Sequence, residues 1–131
     1  MIFVDTNYFL RFLLADNDKQ HLIAKKIFTE AANGKNQLTT SIIVLFEIYW
    51  VLSSFYGKEK TEIAKVLKNL LEMKFIEIPD RSIFSDAVEI YSTNRLDLED
   101  SFNLIFAKSQ KTTSFKTFDR NLENEFKKRK I

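Results

Sequence analysis

Short apolar runs of strand-forming residues alternate with longer stretches whose apolar residues recur at helical spacing, and this alternation restricts the fold more than any other feature. Ile2 to Val4 is such a run, and Asp5-Thr6-Asn7 behind it offers capping side chains to a helix from Tyr8 to Leu14. From Asp18 onward, Leu22, Ile23, Ile27 and Ala31 keep helical spacing until Asn33-Gly34 supplies a stop. Gln37 to Thr40 predicts a second strand, Ser41 a cap, and Ile42 to Tyr56 a largely buried helix closed by Gly57. Ile63, Val66, Leu67, Leu70 and Leu71 mark another helix, after which Phe75 to Ile78 alternates as a third strand and stops at Pro79. Ile83, Phe84, Ala87, Val88 and Tyr91 return to helical spacing, and Asp97 caps a helix that carries Leu104, Ile105 and Ala107. Ser114 to Phe118 predicts a fourth strand and Leu122 to Lys128 a final amphipathic helix.

Strands joined by helical crossovers favour a parallel sheet with helices on both faces. The expected class is therefore α/β, a three-layer α/β/α sandwich around a central parallel sheet. A chain of 131 residues, 45% of them hydrophobic, suits one domain with a real core, and no repeat or Pro/Ser-rich linker divides it. A single domain over 1–131 is the expectation. The absence of cysteine excludes disulfides, thiolate zinc sites and cysteine nucleophiles, and fits a reducing cytoplasm. The longest apolar stretch, Ile42 to Leu52, falls short of the ~20 residues a bilayer needs and carries Glu47 at its centre. The N-terminus meets Asp5 at once and lacks the basic lead of a signal peptide, so a cytoplasmic location without membrane attachment is expected.

Four acids have neighbours that predict burial: Asp5 ends Ile2-Phe3-Val4, Glu47 interrupts Ile42 to Leu52, Asp100 opens Ser101 to Ala107, and Asp119 follows Phe118. A buried carboxylate is expensive unless its charge is compensated, and converging carboxylates raise one another's pKa or require a cation. Hard divalent cations prefer such oxygens, and a cation held this way can activate water and stabilise charge building on a phosphate. With His21 the only histidine, paired-histidine acid–base chemistry cannot operate within one subunit. The pattern points to phosphodiester hydrolysis. Thr6, Asn7 and Thr117 can hold water or orient an acid beside the site.

Each acid also has a structural explanation. Asp5 can cap the helix behind the first strand, Glu47 can belong to a buried ion pair, and Asp119 can be a turn residue. Within Asp97, Glu99 and Asp100, Asp97 is the better cap and Asp100 the better ligand. His21 reads as a surface residue. The formal net charge of +2 does not specify a nucleic-acid partner. Two basic groups can nevertheless meet phosphates: Lys58, Lys60, Lys65 and Lys68 on one helix, and the tail Lys127, Lys128, Arg129 and Lys130. Solvated helix faces are the preferred explanation of both.

Four segments, Val4-Asp5-Thr6-Asn7, Ser41 to Leu52 around Glu47, Asp97 to Asn103 around Asp100, and Thr117-Phe118-Asp119-Arg120-Asn121-Leu122, resemble the PIN-domain family in order along the whole chain. The likeness is to its small members, the VapC-type toxins of toxin–antitoxin pairs. The resemblance implies an α/β/α fold and a Mg2+- or Mn2+-dependent endoribonuclease in which Asp5, Glu47, Asp100 and Asp119 bind metal. Thr6, Asn7, Asp97 and Thr117 fall beside that quartet. It also implies an RNA substrate, a cognate antitoxin protein and a homodimer. Two other readings stand beside it. One is a catalytically inactive RNA- or protein-binding module on the same fold. The other, an aspartyl phosphotransferase or phosphatase with Asp5 as nucleophile, is disfavoured by Asn7, where that chemistry wants a second acid, and by Glu47 in mid-helix.

Overall fold

The computed structural model describes residues 1–129. In chain order their elements are β1 (Ile2–Phe3), α1 (Thr6–Leu14), α2 (Asp18–Ala32), β2 (Leu38–Thr39), α3 (Ile42–Ser54), α4 (Lys60–Leu71), β3 (Ile76–Glu77), α5 (Arg81–Thr93), α6 (Leu98–Ser109) and α7 (Arg120–Lys128). The chain divides into two compact units, Met1–Asp80 and a second that begins at Arg81.

The first unit holds a parallel three-stranded sheet in the order β1-β2-β3, with Ile2 opposite Leu38, Leu38 opposite Ile76, Phe3 opposite Thr39 and Thr39 opposite Glu77. Parallel neighbours need a long crossover, and each crossover here is a pair of helices. The fold is thus the helix-rich α/β class the sequence predicts. Helices α1 and α2 pack together, α1 also packs on α3, and α3 on α4. Phe28 joins the first pair, its ring 5.5 Å from Phe9 and 4.7 Å from Phe12. On α2 the buried residues are Ala24, Phe28 and Ala31, whereas Leu22 and Ile23, expected in the core stripe, are exposed. Spacing defines a stripe, but the bulk of Phe28 decides which stripe turns inward.

His21 is less free than a surface residue. Its Nδ1 lies 3.2 Å from the Arg11 carbonyl oxygen, and its ring stacks on Phe12 at 5.8 Å. Arg11 is committed as well: its guanidinium donates to Asp16 at 3.0 Å, while the Tyr56 hydroxyl donates to the other Asp16 oxygen. Tyr56, ahead of Arg11, holds the Asp16 carboxyl below the usual carboxylate range.

Helices α5, α6 and α7 pack in sequence in the second unit. Ile90, Leu96, Leu104, Leu122 and Phe126 form its core, with Ile105, Ala107 and Phe115 against it. The expected fourth strand does not form. Along 114–118 half-buried Phe115 and Thr117 alternate with exposed neighbours, so the period is present, yet no ladder pairs this segment among the described residues. Alternation selects the inward side chains, and Phe115 turns in onto Phe126 at 5.3 Å, but pairing requires another strand's free backbone groups. The basic tail is also tied up: Lys127 pairs with Glu123, and both Lys128 and Arg129 with Glu125, each within one helical turn. Lys130 lies outside the described residues.

One buried hydroxyl fixes the exit of the sheet. Thr40 follows β2, is 3% exposed, and donates its hydroxyl to the Val4 carbonyl oxygen at 2.8 Å, while its N–H donates to Glu77. That bond clamps the backbone immediately before Asp5. Thr40→Val keeps the shape and removes the donor, so it should cost about 1–3 kcal/mol of stability by chemical denaturation. An unchanged midpoint and slope would show that the Val4 oxygen finds another donor.

Candidate functional site

Asp5 leaves β1 with extended backbone and becomes the N-cap of α1, one carboxylate oxygen accepting from the Thr6 N–H at 2.8 Å. A helix start leaves N–H groups without partners, and a short acidic side chain is the common remedy. Thr6 behind it is buried, and its Oγ1 has no hydrogen-bond partner. Asn7 is exposed and lines a cleft with Tyr8, Arg11 and Gln20.

Glu47 sits in the middle of α3 and is exposed. The expectation of burial fails here for a specific reason. The core takes Val44, Leu45, Ile48 and Leu52, so the opposite face, with Glu47 and Ser54, turns to solvent together with apolar Ile43 and Trp50. Apolar neighbours therefore did not mark the buried side. The Glu47 side chain makes no hydrogen bond or ion pair among the described residues.

The remaining acids gather in the second unit. Asp97 caps α6 by accepting from the Asp100 N–H at 2.8 Å, and Asp119 caps α7 by accepting from Leu122 at 3.1 Å. Asp119 is thus set by a helix start rather than by the end of a strand. Thr117 has a definite task here, its hydroxyl oxygen accepting from the Asp119 N–H at 3.0 Å. Asp119 and Asp97 are exposed and Asp100 half-buried, so burial is partial even at the most enclosed acid.

Asp100 is the acid with a perturbed carboxyl. Burial, then Asp97, Asp119 and Glu99, push its pKa above the ordinary value. The first turn of a helix favours negative charge, but three neighbouring carboxylates and desolvation outweigh that help. Two residues escaped attention in the sequence. Thr40 holds the backbone before Asp5, and Ser101, fully buried, donates to the Asp97 carbonyl oxygen at 2.7 Å and tightens the turn that presents Asp100. A hydroxyl residue next to an acid at a helix start was the available signal for Ser101.

In the first unit Asp5 spends one carboxylate oxygen on its cap, and the neighbouring Thr6 Oγ1 is buried without a partner. In the second, Asp119 spends one on its cap and Asp100 carries charge its surroundings disfavour. Taken each by itself, these are oxygen donors of the kind a hard divalent cation prefers. Among the described residues, no three His, Asp or Glu side chains form a cluster that could hold a metal ion as they stand. No described helix is long and apolar enough to cross a membrane.

A family model described as PIN domain matches residues 2–126. No curated protein and no solved structure matches the chain.

The crowding at Asp100 has a consequence for stability. A carboxyl whose folded pKa is raised binds its proton more tightly folded than unfolded, so stability falls as pH rises through that range. Below the ordinary carboxylate pKa of about 4 both states are protonated and the penalty disappears. Asp100→Asn should therefore melt at a higher temperature than wild type at neutral pH in chelator, the gap closing as pH approaches 3–4. Equal melting temperatures across the titration would remove the repulsion.

Proposed function

The chain belongs to the PIN-domain family, a superfamily of nucleases, and from that membership we propose that it is a metal-dependent endoribonuclease hydrolysing RNA phosphodiester bonds. PIN nucleases typically use divalent metals, and Mg2+ or Mn2+ is the proposed cofactor. The observation that carries this reading is the family match over 2–126, which takes in all four acid-bearing segments. The crowded carboxylates around Asp100 support it, because an opposite charge is what such a group lacks.

In this proposal Asp5, Glu47 and Asp100 are the primary metal ligands and Asp119 assists with metal or water. The ion would contribute Lewis acidity toward water and the scissile phosphate. Asp5 and Asp119 are oriented by the caps they form, and Thr117 and Asp97 fix the backbone that presents Asp119 and Asp100. Thr6 and Asn7 would complete the surroundings of Asp5. On the same family ground we assign the chain to a single domain that acts in the cytoplasm as a homodimer. It would be the toxin of a toxin–antitoxin pair, silenced by its cognate antitoxin.

Purified protein should cut RNA when Mg2+ or Mn2+ is present and stop on chelation. Asp5→Asn is the informative variant, since asparagine keeps the cap on α1 and removes the charge. Loss of an outer-shell partner already costs 10- to 100-fold, so Asp5→Asn and Glu47→Gln should each lower cleavage by about 100-fold or more with the melting temperature nearly unchanged. RNA binding without metal-dependent cleavage would identify an inactive binding module, and full chelator-sensitive activity in Asp5→Asn would displace this set of ligands.

A further inference from the structure

The second unit holds a cleft of about 440 Å3 that none of the proposed metal ligands lines. The end of α5 and the turn after it supply Ser92, Thr93, Asn94 and Arg95, and Asn121 and Glu125 join them from one face of α7. Most of these polar groups are already engaged. The Ser92 and Thr93 hydroxyls donate to the Glu89 carbonyl oxygen at 2.8 and 3.0 Å, and the Asn94 amide donates to that of Ile90 at 3.2 Å, closing the last turn of α5. Glu125 is met by two cations, Lys128 at 3.7 Å and Arg129 at 3.4 Å. Arg95 and Asn121 are exposed, and their side chains make no hydrogen bond or ion pair among the described residues. What the cleft leaves uncommitted is thus a guanidinium and an amide. We propose that it seats one unpaired nucleotide of the RNA strand, with Arg95 on a phosphate next to the scissile one and Asn121 at the edge of the base. The inference rests on the nuclease reading and deepens it, naming two residues that position the substrate.

Charge and position select this occupant. A cation finds nothing here, because the one carboxylate in the lining has its partners. An apolar segment would cover the Arg95 charge without compensating it. A phosphate compensates it, since a guanidinium presents paired N–H groups that match phosphate oxygens. The amide beside it carries a donor and an acceptor side by side, which is the pattern of a base edge. The volume lies within the range of roughly 300–1,000 Å3 in which small ligands are bound. Position ties the cleft to the acids: Arg95 stands two residues before Asp97, the cap of α6, and Asn121 two after Asp119, the cap of α7. Both of those caps act on the Asp100 carboxyl, so the cleft adjoins the acid cluster of the second unit. Such a cluster repels phosphate until a cation neutralises it, and a strand crossing it needs an anchor of its own. Arg95 supplies that anchor from the protein. Phosphate contacts fix where a strand lies and base contacts fix which strand is chosen, so the two side chains divide the work.

The test separates the two roles. With Asp5→Asn protein in chelator, labelled tetranucleotides of A, C, G and U are titrated by anisotropy over a range of salt concentrations. Arg95→Gln should weaken all four about tenfold and reduce the slope of log affinity against log salt by about 0.7, the value for one phosphate contact on a single strand. Arg95→Lys, which keeps the charge, should recover the slope and part of the affinity. Asn121→Ala should leave the slope alone and change the ranking of the four bases. Both residues are exposed, so melting temperatures should stay at the parent value. In the otherwise native chain with Mn2+, Arg95→Gln should raise KM far more than it lowers kcat. Affinity and salt slope unchanged in Arg95→Gln, or a base ranking unchanged in Asn121→Ala, overturns the cleft as a nucleotide site. Displacement of the oligonucleotides by tetraglutamate at equal concentration also overturns it, making the cleft a seat for acidic protein segments. The readings fail separately: Arg95-dependent binding by a chain that never cleaves keeps the cleft and removes the nuclease, whereas metal-dependent cleavage with KM unchanged in Arg95→Gln does the reverse.

Discussion

The start of a helix exposes N–H groups that nothing within the helix can satisfy, and this chain answers that need with aspartate at α1, α6 and α7. Asp5, Asp97 and Asp119 are therefore held by the backbone they cap. Each such bond contributes about 1 kcal/mol, a modest energy, but it removes the rotational freedom of a carboxylate. Rigidly held carboxylates suit a polar chemistry, and the capping demand alone would place them. The cap that Asp5 forms would thus be the same arrangement that orients it for the proposed metal ligation.

Asp100 stands apart from the capping acids. It caps nothing and sits among negative neighbours in a half-buried position, so the folded state opposes its charge. Asp16 shows the opposite balance within the same chain, where Tyr56 and Arg11 stabilise the ionised form. The contrast separates a carboxylate already compensated by protein from one that is not. Function is sought at the second kind.

The sequence was legible where local rules decide. Capping residues Asp5, Ser41 and Asp97, the stop after α2, and the order of strands through Ile76 are fixed by neighbours a few residues away. It was less legible where a choice depends on distant partners. The segment 114–118 has strand periodicity without a strand to join, and both α2 and α3 present apolar side chains on faces the core does not use. Burial of Glu47 is expected from its place within the apolar run Ile42 to Leu52, yet Ile43 and Trp50 of that run are themselves in solvent. The burial expected of the four acids holds only partly at Asp100, and Asp5, Glu47 and Asp119 are exposed.

Strands of two residues give the first unit a sheet with few ladder bonds, and most of its main-chain bonding lies inside helices. Helices form from neighbours and therefore quickly, while the β1–β2 pairing must bring Thr40 back to Val4 across 36 positions. The β2–β3 pairing spans a similar distance, 38 positions from Thr39 to Glu77, so both closures carry a loop-entropy cost that the helices do not. That cost rises only with the logarithm of loop length, so lengthening the turn at Gly34 by a few residues would barely change the rate at which the sheet is made.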